Sequence, residues 1–293
     1  MSDPVWLEPD LRLLRAPNPS PLTGEGTNTY ILGADALCVI DPGPDDPAHL
    51  AAILSALDDS RMLRAILVTH AHLDHAPLAR GLARATGAPV MAFGDALAGR
   101  SARMRALAET GLIGGGEGVD LAFRPDQILA DGAQIRIGAD SLRAIWTPGH
   151  FGNHLSFAWR GAVFSGDHVM GWSSTLVSPP DGDVSDYMRS LDRLTQESAR
   201  ILYPGHGAPV TDPEGRLAAL RSHRLQRESE ICDSLRSGPK TVLELVQGIY
   251  TETPPALRRA AARNVFAHLI DLVHRDQVSA TPELHPEAVF SFL

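Results

Sequence analysis

Short apolar runs and amphipathic stretches alternate along the first part of the chain. The runs 29–33 and 36–40 are β-like, and the glycine-containing turn between them predicts a hairpin. Residues 49–57 and 76–86 have the apolar spacing of helices, whereas the run 65–69 between them is continuously apolar, as in a strand that is buried on both faces. This alternation of strands and helices predicts an α/β fold in which helices cover a sheet.

A second group of β-like runs follows residue 128. Before it, residues 88–93 have the pattern of a strand, 102–109 that of a helix, and the glycine cluster 114–118 that of a loop. After it, the pattern predicts strands at 134–137, 142–146, 154–159, 162–165 and 200–203. It predicts one helix among them, at 185–195. The β-like runs therefore continue to about residue 204.

The character of the chain changes after residue 211. Residues 213–235 have the pattern of a long amphipathic helix rich in arginine and glutamate. Shorter helical stretches follow at 241–249, 255–259 and 263–276, and a β-like tail follows at 289–292. We therefore expect a larger α/β unit at residues 1–211, and a linker helix with a small, mostly helical unit at residues 212–293.

Charge and composition exclude several kinds of protein. The 26 lysine and arginine residues against 35 aspartates and glutamates give a net charge of −9, so no overall positive field attracts nucleic acid or an anionic membrane. No apolar run approaches the roughly 18 residues of a membrane span, and no secretion signal is recognisable, so we expect a cytoplasmic protein. Lys240 is the only lysine, and Cys38 and Cys232 form no CxxC pair, which excludes a GxxxxGK[ST] phosphate loop and a thiolate zinc site.

The sequence His-Ala-His-Leu-Asp-His at residues 70–75 directly follows the buried strand 65–69. Imidazole and carboxylate groups are costly to bury unless they are paired or bound to a metal. Because alternate residues of an extended segment point the same way, His70 and His72 can contact one ion, while Asp74 and His75 can turn toward a second. Nitrogen donors with a few carboxylate oxygens favour zinc, and iron or manganese are the alternatives.

Three further potential ligands follow other predicted strands. His150 comes after the run ending at residue 146, Asp167 after the run ending at residue 165, and His206 after the last strand. Each has a neighbouring glycine, which lets the backbone turn sharply beside an ion. Because α/β folds place their sites where loops converge at one sheet edge, we expect these three residues to join the 70–75 segment.

The motifs HAHLDH, TPGH, SGD and PGHG, in this order, resemble those of the metallo-β-lactamase superfamily over residues 20–210. The resemblance implies an αββα sandwich with two metal ions between its sheets. It implies that a first ion binds to His70, His72 and His150. It implies that a second ion binds to Asp74, His75 and His206, and that the carboxylate of Asp167 bridges the two ions. Residues 26–30, 186–188 and 203–206 more closely resemble the β-lactamase-like-protein-2 group, whose C-terminal extension is a winged-helix-like domain.

This resemblance implies a hydrolase in which a hydroxide shared by two metal ions attacks the substrate, with Asp74 orienting it and passing a proton to the leaving group. The substrate expected is a small ester, thioester, lactone or amide. An endoribonuclease acting on single-stranded RNA is the alternative within the enzymes, because the closest group includes such enzymes. A redox protein with a di-iron site is an alternative of another class, but it normally requires a flavin-binding domain that the sequence does not show.

The remaining candidates have a simpler structural interpretation. A surface or hydrogen-bonded role suffices for five histidines, at positions 49, 223, 268, 274 and 285, whereas His154 and His168 flank the ligands and stay open. Trp172 and Tyr187 are candidates for contact with substrate. Residues 238–293 contain five cations and six acids, so they show no footprint for phosphate binding, and we expect a structural or homo-oligomerisation role with a contribution to the wall of the cleft.

Overall fold

The structure, a computed structural model, describes residues 4–57 and 62–293 of the chain. Its strands are β1 (Val5–Glu8), β2 (Leu11–Arg15), β3 (Asn28–Leu32), β4 (Ala36–Ile40), β5 (Met62–Leu67), β6 (Val90–Ala92), β7 (Gln127–Ile128), β8 (Gln134–Ile137), β9 (Asp140–Trp146), β10 (Leu155–Trp159), β11 (Ala162–Gly166), β12 (Ile201–Pro204), β13 (Lys240–Thr241), β14 (Val278–Thr281) and β15 (Val289–Phe292). Its helices are α1 (Pro47–Ala56), α2 (Leu78–Thr86), α3 (Ala102–Glu109), α4 (Val184–Gln196), α5 (Pro213–Arg236), α6 (Val242–Ile249) and α7 (Arg258–His274), and a 3-10 turn at Pro255–Leu257 leads into α7.

Two sheets face each other in the larger part of the molecule. The first has the strand order β1-β2-β3-β4-β5-β6-β7, and the second has the order β12-β11-β10-β9-β8. Their inner faces share one apolar layer, in which Tyr30 and Cys38 of the first sheet are buried with Phe157, Phe164 and Tyr203 of the second. The ring of Tyr30 lies edge-on to that of Phe164, with 5.0 Å between the centroids. Cys38 is therefore a buried apolar residue of this layer.

Helices cover the outer face of each sheet. Ile53 of α1 and Leu82 of α2 pack on the outer face of the first sheet, and Leu191 of α4 and Leu217 of α5 belong to the apolar layer outside the second. Burying one apolar face of each helix against each sheet removes both outer faces from water. The predicted αββα sandwich is confirmed.

Several element ends differ from the sequence-based expectation. α1 begins at Pro47, two residues early, because the Asp46 side chain accepts a hydrogen bond from the His49 N–H and Pro47 needs no partner for its nitrogen. α7 is continuous from Arg258 and joins two stretches that the pattern separated. The pattern also missed β1, β2 and β14, whose mixed polar sequences are held by pairing with neighbouring strands.

The C-terminal region adds a small sheet of order β13-β15-β14, packed with α6 and α7 around Phe266, Leu269 and Phe290. The first half of α5 packs against the sandwich through Leu217, and its second half packs into this C-terminal core through Leu235. α5 thus contacts the core of the sandwich and the C-terminal core. The boundary between two units at residue 211 stays a prediction. None of the helices in residues 4–57 and 62–293 combines the length and the apolar character needed to cross a membrane.

Four loops meet at one edge of the sandwich. They are the loops that follow β5, β9, β11 and β12, and each leaves the carboxyl end of its strand. β11 and β12 are parallel, so their loops emerge side by side, and Thr27 of the first sheet's region bridges to His206 across the gap between the sheets. This edge is where the fold concentrates the potential metal ligands.

Candidate metal centre

Two groups of buried side chains face each other at this edge. The first cluster is His70, His72 and His150, and the second cluster is Asp74, His75, Asp167 and His206. Within each cluster the possible ligand atoms all lie within 4.8 Å of one another. The structure therefore brings together all seven residues named from the sequence, in the two groups that the resemblance implied.

The three rings of the first cluster turn nitrogens toward one another. His72 Nδ1 lies 2.9 Å from His70 Nε2 and 3.1 Å from His150 Nε2. The other nitrogens of two rings are occupied outside the cluster, because His70 Nδ1 lies 2.9 Å from the hydroxyl of Thr69 and His150 Nδ1 lies 2.7 Å from the carbonyl oxygen of Leu176. These outer contacts leave the Nε2 lone pairs of His70 and His150 directed inward.

Burial keeps the first cluster uncharged. It lowers the pKa of His72 to about 3, and it lowers the pKa values of His70 and His150 as well, with neighbouring histidines adding to the effect at His70. A neutral imidazole is the form that binds a metal. At neutral pH this cluster therefore presents three nitrogen donors to one point.

The second cluster is dominated by its two carboxylates. Asp74 Oδ2 lies 3.3 Å from His75 Nε2 and 3.1 Å from His206 Nε2, and Asp167 contacts the same two nitrogens at 3.3 Å each. Burial lowers the pKa of His206, but Asp167 and Asp74 outweigh burial and raise that pKa to about 10; the pKa of His75 is raised in the same way. The two carboxylates therefore favour positive charge at this cluster.

Asp167 also connects the two clusters. Its Oδ2 lies 3.3 Å from His206 Nε2 and 3.8 Å from His150 Nε2. Among the described residues, neither of the buried oxygens Asp74 Oδ1 and Asp167 Oδ1 accepts a hydrogen bond of ordinary geometry, although Asp167 Oδ1 lies 3.3 Å from His75 Nε2. A buried carboxylate oxygen without such a bond is unusual. Inward-facing nitrogens and unsatisfied oxygens of this kind fit metal ions, and the two clusters can hold two.

Two glycines let the loops approach the clusters closely. Gly149 has a φ of 143°, and a Cβ at that position would lie 2.3 Å from the Cα of Tyr187. A Cβ at Gly205 would lie 2.3 Å from Asp167 Oδ1. Any larger residue at either position would displace the histidine that follows it, His150 or His206.

Asp41 is a site residue that the sequence analysis missed, since it was assigned only to a turn. Its Oδ2 lies 2.9 Å from His75 Nδ1, and its carboxylate also accepts hydrogen bonds from the backbone N–H and the hydroxyl of Thr69, each at 2.7 Å. Its backbone is left-handed, with a φ of 49°, a conformation that aspartate tolerates better than most residues. One signal was available: Asp41 follows a continuously apolar strand, as the metal-binding candidates do.

The four residues whose role the sequence left undecided are His154, His168, Trp172 and Tyr187. His154 and His168 are fully buried but outside both clusters; His154 Nδ1 lies 2.9 Å from the hydroxyl of Thr147, and the His168 ring lies 4.5 Å from the Tyr187 ring. Tyr187 is therefore a core residue. Trp172 is 48% exposed and lines the cavity over the clusters.

A cavity of about 170 Å³ opens directly onto the two clusters. Asp74 and His150 form part of its floor, and apolar side chains, including Leu22, Met170 and Leu176, form much of its wall. The C-terminal region also lines the cavity, through Tyr250, Leu257, Ala260 and Asn264. The expected contribution of this region to the cleft is thus present in the structure.

Comparison with known proteins agrees with this geometry. Residues 22–206 match the Metallo-beta-lactamase superfamily, and residues 241–285 match the Beta-lactamase associated winged helix domain. The chain is 30% identical over 264 residues to the Beta-lactamase-like protein 2 homolog of Drosophila melanogaster, covering 87% of this chain and 85% of that protein. It is 28% identical over 275 residues to the Atrochrysone carboxyl ACP thioesterase of Aspergillus chevalieri, covering 89% and 80% of the two chains.

A solved structure supports the same conclusion over the full length. The crystal structure of a metallo-beta-lactamase family protein from Thermus thermophilus superposes with a TM-score of 0.78 and 28% identity, covering 98% of this chain and 100% of that one. The sandwich and the C-terminal region thus occur together in a related protein. The chain belongs to the metallo-β-lactamase superfamily and is a metal-dependent hydrolase with a C-terminal winged-helix domain.

Proposed function

We propose that the protein hydrolyses a thioester of a small acyl compound with the aid of two divalent metal ions, for which zinc is the best fit. The observation that carries this proposal is the pair of buried clusters joined by one carboxylate. The first ion would bind to the three histidines of the first cluster. The second would bind to Asp74, His75 and His206, and Asp167 would bridge the two ions.

When bound, the ions would polarise the scissile carbonyl group and lower the pKa of a water molecule. Asp74 supplies the group that moves a proton. Its Oδ2 is occupied by His75 and His206, whereas its Oδ1 accepts no hydrogen bond from the described residues and the side chain lines the cavity. Asp74 Oδ1 can therefore take a proton from the attacking water and return it to the leaving group.

The cavity wall and the relatives favour a thioester among the substrates considered. Two relatives are named as Atrochrysone carboxyl ACP thioesterases, at 28% and 27% identity. The apolar side chains of Leu22, Met170, Trp172 and Leu257 offer a surface for the acyl part of a substrate. A thiolate is also a good leaving group, since a thiol has a pKa of about 8.5, so protonation by Asp74 need only be partial.

A substrate panel tests this proposal. Metal-replete protein is assayed with an acyl thioester, a p-nitrophenyl ester, a lactone, nitrocefin and a short single-stranded RNA. We expect the thioester to show the highest kcat/KM, with activity abolished by a chelator and restored by Zn²⁺. Cleavage of RNA without thioester hydrolysis, with a KM that rises steeply with salt, would contradict the proposal and support a nuclease.

A further inference from the structure

A short strap of the chain, residues 175–177, lies between the first cluster and the C-terminal region. On its inner side, the Leu176 carbonyl oxygen lies 2.7 Å from His150 Nδ1 and the Thr175 hydroxyl oxygen lies 3.0 Å from the same atom. The Thr175 hydroxyl donates to the carbonyl oxygen of Asp167. The strap therefore sets the tautomer and the orientation of the His150 ring.

Two residues from the C-terminal region hold the outer side of this strap. Arg224 of α5 donates through Nη2 to the carbonyl oxygen of Thr175 and through Nη1 to Asn264 Oδ1, the latter at 3.0 Å. Asn264 Oδ1, on α7, also accepts the backbone N–H of Val177 at 3.0 Å. One end of the strap is thus bonded to α5, the helix that contacts both cores, and the other end to α7 of the C-terminal region.

The setting of Arg224 is unusual for a cation. The residue is only 2% exposed, and no carboxylate of the described residues 4–57 and 62–293 forms an ion pair with it. Its partners are neutral oxygens and the Tyr187 ring, whose centroid lies 5.0 Å from the guanidinium carbon. Burying an uncompensated charge is costly, so a structural gain must offset the cost, and the fixed strap is the gain that the contacts show.

We propose that Arg224 and Asn264 are positioning residues for His150, which they orient through the strap. This inference rests on the proposed function only in taking His150 as a ligand of the first ion. It makes the C-terminal region part of the support of the first cluster. The strap also contacts the second cluster, through the bond from the Thr175 hydroxyl to the Asp167 backbone carbonyl oxygen. The outer nitrogens of His75 and His206 contact Asp41 and Gly26 instead of the strap.

The test measures Zn²⁺ affinity, not catalysis. Metal-free Arg224→Met and Asn264→Leu are titrated with Zn²⁺ in competition with a fluorescent chelator, and the first-cluster step is identified as the one that His150→Gln removes. We expect that step to weaken about tenfold or more in both variants, as when a partner of a metal-binding histidine is removed. The affinity of the second step should stay unchanged, and the Co²⁺ absorption spectrum of the first site should change.

Arg216→Met is the matched control. Arg216 lies on the same helix and donates to the Met170 and Ser173 carbonyl oxygens of the same loop, at 2.7 and 2.6 Å, but these residues contact no ring nitrogen of either cluster in the described structure. We expect both affinities to stay at the wild-type values. An equal loss of affinity in this control would show a general effect of the loop and would overturn the inference.

Two further variants keep the test decisive if Arg224→Met does not fold. Thr175→Val removes the hydroxyl that contacts both His150 Nδ1 and the Asp167 carbonyl oxygen, and it should weaken the first step. Arg224→Lys keeps one donor for the Thr175 carbonyl oxygen but cannot bond Asn264 at the same time, so its affinity should fall between wild type and Asn264→Leu. Unchanged first-step affinity in Thr175→Val and Asn264→Leu would overturn the inference, whereas failure of the wild type to bind Zn²⁺ would overturn the proposed function.

Discussion

The two clusters lie side by side at the same edge but differ in charge. The first contains three neutral histidines, and its outer contacts are the hydroxyls of Thr69 and Thr175 and the Leu176 carbonyl oxygen. The second contains two carboxylates, and a third carboxylate, that of Asp41, contacts His75 from outside. Metal binding at the first cluster therefore depends on the positions of neutral donors, whereas metal binding at the second also depends on negative charge.

The difference in charge determines how each ion binds. The first cluster has its donors neutral at neutral pH, so its affinity depends on how accurately the rings are held. In the second cluster, burial opposes protonation but the carboxylates raise the pKa values of His75 and His206, so an ion must displace protons from these two residues. Substitutions that remove a carboxylate should therefore mainly weaken metal binding at the second cluster. Substitutions that loosen the contacts around the histidine rings should mainly weaken metal binding at the first.

The largest effect is expected from Asp167→Ala, which removes the carboxylate that both clusters share. Activity should fall to background, and elemental analysis should find one Zn²⁺ per chain instead of two, because three histidines still hold the first ion. Asp192→Ala, at an exposed aspartate of α4 paired with Arg221, is the control and should keep two ions. Two ions in Asp167→Ala would show that this residue is not the bridge.

Asp74→Asn should have the next largest effect. The substitution keeps the shape of the side chain but removes its charge and its proton-accepting oxygen, so we expect kcat to fall by about 10²- to 10⁴-fold. The first ion should remain bound, as measured by metal analysis. A variant with both ions and a kcat close to that of the wild type would exclude Asp74 from proton transfer.

Asp41→Asn tests the charged support of the second cluster. Its Oδ2 would be replaced by an amide nitrogen that cannot accept a hydrogen bond from His75 Nδ1, and loss of such a partner weakens metal affinity by about 10- to 100-fold. We expect this loss in the second Zn²⁺ step of a chelator competition, with a much smaller change in the first. A loss confined to the first step would mean that Asp41 acts through Thr69 and His70 instead.

The smallest effect at neutral pH is expected at His268, a buried neutral histidine that belongs to neither cluster. Burial lowers its pKa to about 3, whereas the unfolded chain binds the proton near pH 6.5. The unfolded state therefore gains protons first, and the free energy of unfolding should decrease by up to about 1.4 kcal/mol per pH unit as the pH falls from 6.5 toward 3. Urea denaturation of metal-free His268→Leu should lack this part of the acid dependence, while His285→Leu, outside the buried core, should keep it. Equal pH dependence in His268→Leu and the wild type would contradict the prediction.

The order and type of residues along the chain were sufficient to predict an α/β fold and the potential ligands, whereas the two-sheet sandwich was implied by the resemblance to the metallo-β-lactamase superfamily. Continuous apolar runs identify buried strands, and histidine or aspartate directly after such a run, beside glycine, identifies loops that meet at a sheet edge. Local patterns carry this information because burial and backbone freedom act residue by residue. The same patterns did not predict β2 or β14, whose stability comes from pairing with β3 and β15.

Only the tertiary structure decides which residues support the clusters. Asp41 contacts His75 from 34 positions away, and Arg224 reaches Thr175 from 49 positions away. Arg224 leaves no trace of its contact in the local pattern, because it is an ordinary residue of an amphipathic helix. Asp41 leaves only its position after an apolar strand, which does not identify His75 as its partner. The potential ligands can therefore be recognised along the chain, whereas their charge states and supports follow from burial and from neighbours distant in sequence.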